Sequence, residues 1–191
     1  MKQKFLLFIT ALMLCVGAKG STEQVINGLK YIIYTDWNRA TLIRNNYTQS
    51  EITIPASITW EGKEYPVTKL GDGCFMYCYS LSKVIIPASV KSIGESCFYW
   101  CWNLTSITIP SSVTSIGRSC FYECWNLTSV NIPSSVTSLG SSCFSGCYGL
   151  TSVNIPSSVT SLGDDCFSGC HGLTSVNIPS SVTSLGSSCF S

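Results

Sequence analysis

Residues 127–149 read LTSVNIPSSVTSLGSSCFSGCYG, and residues 150–172 repeat them with three changes. A period of this length is the signature of a stacked repeat. The register holds along the chain. Cys74, Cys97, Cys120, Cys143, Cys166 and Cys189 are each 23 residues apart. Cys78, Cys101, Cys124, Cys147 and Cys170 keep the same step, as do Leu81, Leu104, Leu127, Leu150 and Leu173 and the prolines from Pro87 to Pro179.

Within the unit, Leu127, Val130 and Ile132 mark the buried side, and Ser129 and Asn131 alternate with them as in a half-buried strand. Pro133 has no N–H for the ladder and ends it. Val136 and Leu139 form the next inward pair, closed by Gly140. Ser141 and Ser142 resemble a cap for a short helical or 3-10 turn that buries Cys143 and Phe144. No unit can cover its own apolar side. Stacking at about 4.8 Å per strand buries all of them in one continuous core. The expected architecture is therefore a mainly β repeat solenoid, a leucine-rich stack with short helical or 3-10 turns. The fifth unit starts at Leu173 and stops at Ser191, so a further capping stretch is expected.

Residues 21–80 read as an N-terminal β cap that includes a first, atypical repeat. Residues 31–35 and 40–44 predict a hairpin around Asp36-Trp37-Asn38. Ile52-Thr53-Ile54-Pro55 repeats the strand signature, and Val67, Leu70, Gly71, Cys74 and Phe75 repeat the second half of a unit. The insertion between them has a hairpin tip at Trp60-Glu61-Gly62-Lys63. The regular repeats then run through residues 81–191.

Residues 1–18 have the features of an export leader, with residue 20 as the outer bound. Lys2 and Lys4 precede an apolar run, and Val16-Gly17-Ala18 offers a small-residue cleavage site. No later segment is long and apolar enough to span a membrane. The chain has 11% charged residues, against about one quarter in a typical soluble domain. Without Lys2 and Lys4, nine basic residues face ten acidic ones, so no basic patch for nucleic acid is expected.

The motif L-x-x-V-x-I-P-x-x-V-x-x-I/L-G-x-x-C-F-x-x-C resembles the BspA-like leucine-rich repeats of bacterial surface proteins, over residues 52–191. The resemblance implies a right-handed solenoid, surface exposure, adhesion to matrix proteins or other cells, and no catalytic residues. One departure is the cysteine before each repeat phenylalanine, where that family usually has alanine.

Eleven cysteines follow the leader, and each keeps register with Leu, Val and Phe. That is how buried packing positions behave. On a helical turn the C-x-x-x-C pair would sit about 5–6 Å apart at Cβ, beyond the roughly 3.8 Å of a disulfide. Reduced core thiols are expected, with no metal and no cofactor.

Two surfaces are candidates for binding an extracellular protein or glycan. The outward strand positions are Lys83, Ser106, Ser129, Ser152 and Ser175, with Ile85, Thr108, Asn131, Asn154 and Asn177. They form either a ligand face or a solvated sheet held by Ser and Asn ladders. The residues after the second cysteine, Tyr79, Trp102, Trp125, Tyr148 and His171, predict an aromatic edge, enlarged by Tyr99, Trp100 and Tyr122. It either seals the turns or anchors a ligand; sealing is the simpler reading. His171 is the single histidine and has no partner for a triad, and the serines lack a nucleophile elbow. We expect no enzyme. The expected function is secreted or cell-surface binding, with a structural spacer or the recognition arm of a larger secreted protein as alternatives.

Overall fold

A computed structural model describes residues 20–191; the expected leader at residues 1–18 lies outside the described residues. Among the described residues the regular elements are all β-strands. The first six are β1 (Ser21–Ile26), β2 (Leu29–Tyr34), β3 (Arg39–Leu42), β4 (Glu51–Thr53), β5 (Ser57–Trp60) and β6 (Lys63–Leu70). Each later unit then adds a three-residue strand and a two-residue strand. These are β7 (Lys83–Ile85) and β8 (Ser92–Ile93), β9 (Ser106–Thr108) and β10 (Ser115–Ile116), β11 (Ser129–Asn131) and β12 (Ser138–Leu139), and β13 (Ser152–Asn154) and β14 (Ser161–Leu162). The last unit contributes β15 (Ser184–Leu185).

The 23-residue period becomes the register of a parallel sheet in the order β13-β11-β9-β7-β4. Ser129 pairs with Ser106 and Ser152, and Val130 with Ile107 and Val153. The central residue of each three-residue strand points inward, while its flanking residues face solvent. The two-residue strands stack the same way on a second side, through β6, β8 and β10 and then through β12, β14 and β15. Units approach closely there. A Cβ on Gly117 would lie 2.4 Å from the backbone nitrogen of Glu95, and one on Gly163 equally near that of Ser141.

The third side corrects the expected helical turn. A helix needs the right-handed conformation at every residue. Ser142 and Gly146 have φ of 56° and 74°, in the left-handed region, so neither a helical nor a 3-10 run passes them. The alternation aims every second N–H at the neighbouring unit, as in a backbone nest. Ser142, Phe144 and Gly146 donate to the carbonyls of Asp164, Cys166 and Ser168 at 2.7, 2.8 and 2.8 Å. A helix would have closed such bonds inside the unit. Here they join successive units, so the turn side is a third hydrogen-bonded wall.

Phenylalanine fills the space behind that wall. The column begins on Tyr47, 5.3 Å from Phe75, and continues through Phe98, Phe121, Phe144, Phe167 and Phe190 at 5.1–5.3 Å. Rings from Phe98 onward are parallel within 6°. All eleven described cysteines are free thiols and buried. The second cysteine of a unit donates its S–H to the phenylalanine carbonyl one unit back. Cys101, Cys124, Cys147 and Cys170 reach Phe75, Phe98, Phe121 and Phe144 at 3.0–3.2 Å. The thiol is thus a small apolar filler with one weak donor for a carbonyl. Burial pushes the Cys143 thiol up to about 12 and that of Cys78 up to about 11.

Both hairpins expected ahead of the repeats form. β2 and β3 pair antiparallel around Asp36-Trp37-Asn38, and β5 and β6 pair with Trp60 opposite Lys63. The strand β1 was not anticipated. Its turn onto β2 is Asn27-Gly28, with φ of 51° and 79°, the Asn-Gly pairing that two-residue hairpins favour. β3 then joins β6 in parallel, with a bulge between Ala40 and Thr41.

Candidate ligand-binding surfaces

The residue after the second cysteine leaves the turn pointing away from the core. Because the units are in register, these residues stack. Tyr79 and Trp102 lie 4.5 Å apart between centroids, Trp102 and Trp125 5.3 Å, Trp125 and Tyr148 6.0 Å, and Tyr148 and His171 5.5 Å. All five edge residues therefore meet in one line. Tyr79, Tyr148 and His171 are exposed, while Trp102 and Trp125 are half-buried.

The line widens at its N-terminal end. Tyr99 and Tyr122 stack at 4.8 Å with planes 8° apart, and Tyr77 meets Tyr99 edge-on at 5.8 Å. Trp100 lies 6.2 Å from Trp102 and 5.7 Å from Trp125. The Arg44 guanidinium sits 5.6 Å over the Tyr77 ring and closes that end. A small groove of 240 Å³ runs between Trp102 and Trp125, walled by Asn103 and Asn126. These amides are already engaged: Asn103 donates to the Tyr79 carbonyl at 2.6 Å, and Asn126 to the Asn103 side-chain oxygen at 3.4 Å.

Two residues here escaped the sequence reading, Tyr77 and Glu123. Glu123 accepts a hydrogen bond from the indole N–H of Trp125 at Oε2. Its carboxylate rests on Gly146, where a Cβ would lie 2.6 Å from the carboxyl carbon. Both residues belong to one register position, occupied by Tyr77, Trp100, Glu123, Gly146 and Gly169. The backbone there is left-handed throughout, with φ of 64°, 60°, 57°, 74° and 70°. That shared conformation, with glycine in the later units, is the signal that could have found them.

The strand face is flat and polar. All ten outward positions from Lys83 to Asn177 are exposed. Asn154 donates to Asn131 at 3.4 Å, and Lys83 pairs with Glu51 at 3.8 Å. Beside them, Thr128 and Thr151 each donate to a threonine carbonyl one unit back, at 3.3 and 3.1 Å. Of the ten outward side chains, Lys83, Asn131 and Asn154 are engaged in this way, and the threonine ladder runs alongside. Thr108 and Asn131 lie on paired strands, whereas Asn177 follows the last strand of that sheet.

Among the described residues, no cluster of three or more His, Cys, Asp or Glu side chains could hold a metal ion. Among the same residues no helix is long and apolar enough to cross a membrane.

Residues 68–191 match six copies of the BspA-type leucine-rich repeat region. A leucine-rich cell surface protein of Faecalibacterium prausnitzii is similar in structure, with a TM-score of 0.74 and 34% identity over 89% of this chain. The chain spans 52% of that protein's length. The leucine-rich repeat protein of T. pallidum has a TM-score of 0.69 at 25% identity, covering 90% of this chain and 85% of its own. One from Bacteroides capillosus has a TM-score of 0.63 at 29% identity, over 72% and 99% of the two chains. No curated protein matches the chain in sequence. With its 23-residue register carried through six matched repeats, the chain belongs to the BspA-type leucine-rich-repeat family.

Proposed function

We propose that the protein is exported and acts at the cell surface or in the surrounding medium. There it would bind an extracellular protein or glycan through its aromatic edge, without catalysis. In this reading residues 1–18 are the leader, residues 21–80 cap the stack, and residues 81–191 supply the repeats. The relative from Faecalibacterium prausnitzii, described as a cell surface protein, supports the location.

One observation carries the choice of surface. Tyr77 and Trp100 occupy a left-handed position where later units have Gly146 and Gly169. A bulky residue there costs about 1–3 kcal/mol in strain. Each of these rings meets two others, at about 0.5–1.5 kcal/mol apiece, which does no more than offset that strain. The backbone does without a ring at this site in the later units, so sealing the turns does not account for rings in the earlier ones. Exposed Trp and Tyr are the residue types that anchor interfaces. The strand face ranks second, because small polar side chains stand there in place of the aromatic residues that anchor interfaces.

The test is a screen of the folded chain against immobilised matrix proteins and a glycan array. It is repeated with Trp102→Ser plus Trp125→Ser, and separately with Tyr77→Gly plus Trp100→Gly. Lost binding in both variants, with the solenoid intact by circular dichroism, supports the edge. Undiminished binding overturns it. Binding lost instead in Asn131→Ala plus Asn154→Ala moves the site to the strand face. No ligand in either screen favours a spacer.

A further inference from the structure

Glu123 is unusual in its surroundings. It stands at the left-handed position otherwise held by Tyr77 and Trp100 or by glycine, with φ of 57°. Its carboxylate is half-buried and fixed by the Trp125 indole N–H. The three ion pairs of the described residues are Lys30 with Glu23, Lys69 with Asp72 and Lys83 with Glu51. Glu123 therefore has no cationic partner among the described residues, and its second oxygen accepts no hydrogen bond from them. Beside it stand three indoles. Trp100, Trp102 and Trp125 lie 5.3–6.2 Å from one another with planes tilted by 35–52°. Tilted rings do not blanket each other's faces as the parallel phenylalanines do.

We propose that Trp100, Trp102, Trp125 and Glu123 form a site for a cationic side chain of a partner polypeptide, an arginine guanidinium or a lysine ammonium. The proposal deepens the aromatic-edge reading and rests on it. Its chemistry is charge complementarity in a partly dry place. Indole is the best π partner for a cation, and the attraction grows as water is excluded. The uncompensated carboxylate supplies the matching charge, and its second oxygen is left to accept a charge-assisted hydrogen bond from the guanidinium or ammonium. A neutral sugar would use the rings and leave that charge in place. Arg44, the nearby cation of the patch, lies over Tyr77 at the other end. Gly146 contributes by omission, since any side chain there would displace the carboxylate.

The test uses the folded chain and two blocked peptides, tri-arginine and tri-glutamine, followed by tryptophan fluorescence at low and high salt. Tri-arginine should give a saturable change and tri-glutamine none. Glu123→Gln should weaken tri-arginine binding by roughly tenfold while leaving the unfolding midpoint unchanged. High salt should weaken the wild type more than the variant. Equal affinity of wild type and Glu123→Gln for tri-arginine overturns the proposal, as does equal binding of tri-glutamine. A panel of neutral oligosaccharides separates the two levels. Sugar binding that is lost in Trp102→Ser, without tri-arginine binding, removes the cation site and leaves the edge. No response to any probe, together with ligand binding elsewhere that survives the tryptophan variants, removes both.

Discussion

Residues 81–126 and residues 127–172 each make two full units, and their interiors are interchangeable. Phe98 and Phe121 stack at 5.2 Å, and Phe144 and Phe167 at 5.3 Å. The thiol of Cys124 reaches the Phe98 carbonyl at 3.2 Å, and that of Cys170 reaches Phe144 at 3.1 Å. Their turn surfaces share little. Tyr99, Trp100, Trp102 and Asn103 in the first region correspond to Ser145, Gly146, Tyr148 and Gly149 in the second. One interior thus supports two very different surfaces. The fold is set by residues that repeat, and the departures from repetition sit where they cost the fold little.

The largest expected effect should strike both regions alike. Desolvation by burial pushes the Cys143 and Cys170 thiols up to about 12. An unfolded cysteine ionises near 8.5. The folded value is raised, so this contribution is intact below the unfolded value and is lost as pH climbs toward the folded one. For Cys143 alone the loss is about 2 kcal/mol by pH 10. Burial also raises Cys101, Cys124 and Cys147, so several thiols act together. Urea midpoints should be flat up to about pH 8 and collapse above it. A thiol reagent at pH 8 should find native Cys101, Cys124, Cys143 and Cys147 inert and the same thiols reactive in urea, whereas Cys189, its pKa lowered by its hydrogen bond with Cys166, should label first. Rapid native labelling of those four would contradict the buried thiol core.

Next come the phenylalanines. Phe121→Ala and Phe144→Ala each leave a gap in the column and should each cost about 3–5 kcal/mol. Similar values from urea denaturation would uphold interchangeable interiors. A Phe144 variant that unfolds much more easily than the Phe121 variant would break the comparison.

Most of this interior was open to reading from the period alone. A covalent step of 23 residues leaves no freedom in strand register, so Val130 in and Asn131 out follow from alternation. The turn was harder. Two serines before Cys143-Phe144 look like a helix cap, and a serine does not announce a positive φ. The clue lies in comparing units: Gly73 aligns with Ser96, Ser119 and Ser142, and Gly146 with Glu123. β1 is hard to read from sequence although Asn27-Gly28 marks its turn, because Ser21–Ile26 alternates only weakly between apolar and polar residues. The five edge residues were visible because they share one register position. Glu123 was not, because attention to rings passes over a carboxylate whose role depends on its neighbours.

A smaller effect separates glycines that look alike in sequence. Gly117→Ala and Gly163→Ala would each press a methyl to 2.4 Å from backbone nitrogen. Backbone yields less readily than side chains, and such overpacking costs about 1–3 kcal/mol. At Gly140 the nearest atoms, in the backbone of Arg118, lie at 3.0 Å, so Gly140→Ala should cost the least of the three. The order is read from thermal midpoints, and Gly140→Ala as the worst would contradict the close approach of units on that side.

The smallest effect is the most informative about the surface. Trp100→Gly relieves a left-handed strain of about 1–3 kcal/mol and loses ring contacts of about 0.5–1.5 kcal/mol each with Trp102 and Trp125. The terms oppose and are similar in size, so stability should shift by less than about 1 kcal/mol. The reverse exchange is not symmetric. Gly146→Trp adds the strain and drives a Cβ into the Glu123 carboxylate at 2.6 Å, so it should destabilise by about 1–3 kcal/mol. Urea denaturation of both variants measures the pair. A near-zero cost at Trp100 means the ring is dispensable to the solenoid, and its presence then calls for an explanation outside the fold. A large cost would make it a structural staple of the first region, and the two surfaces would differ for reasons of stability after all.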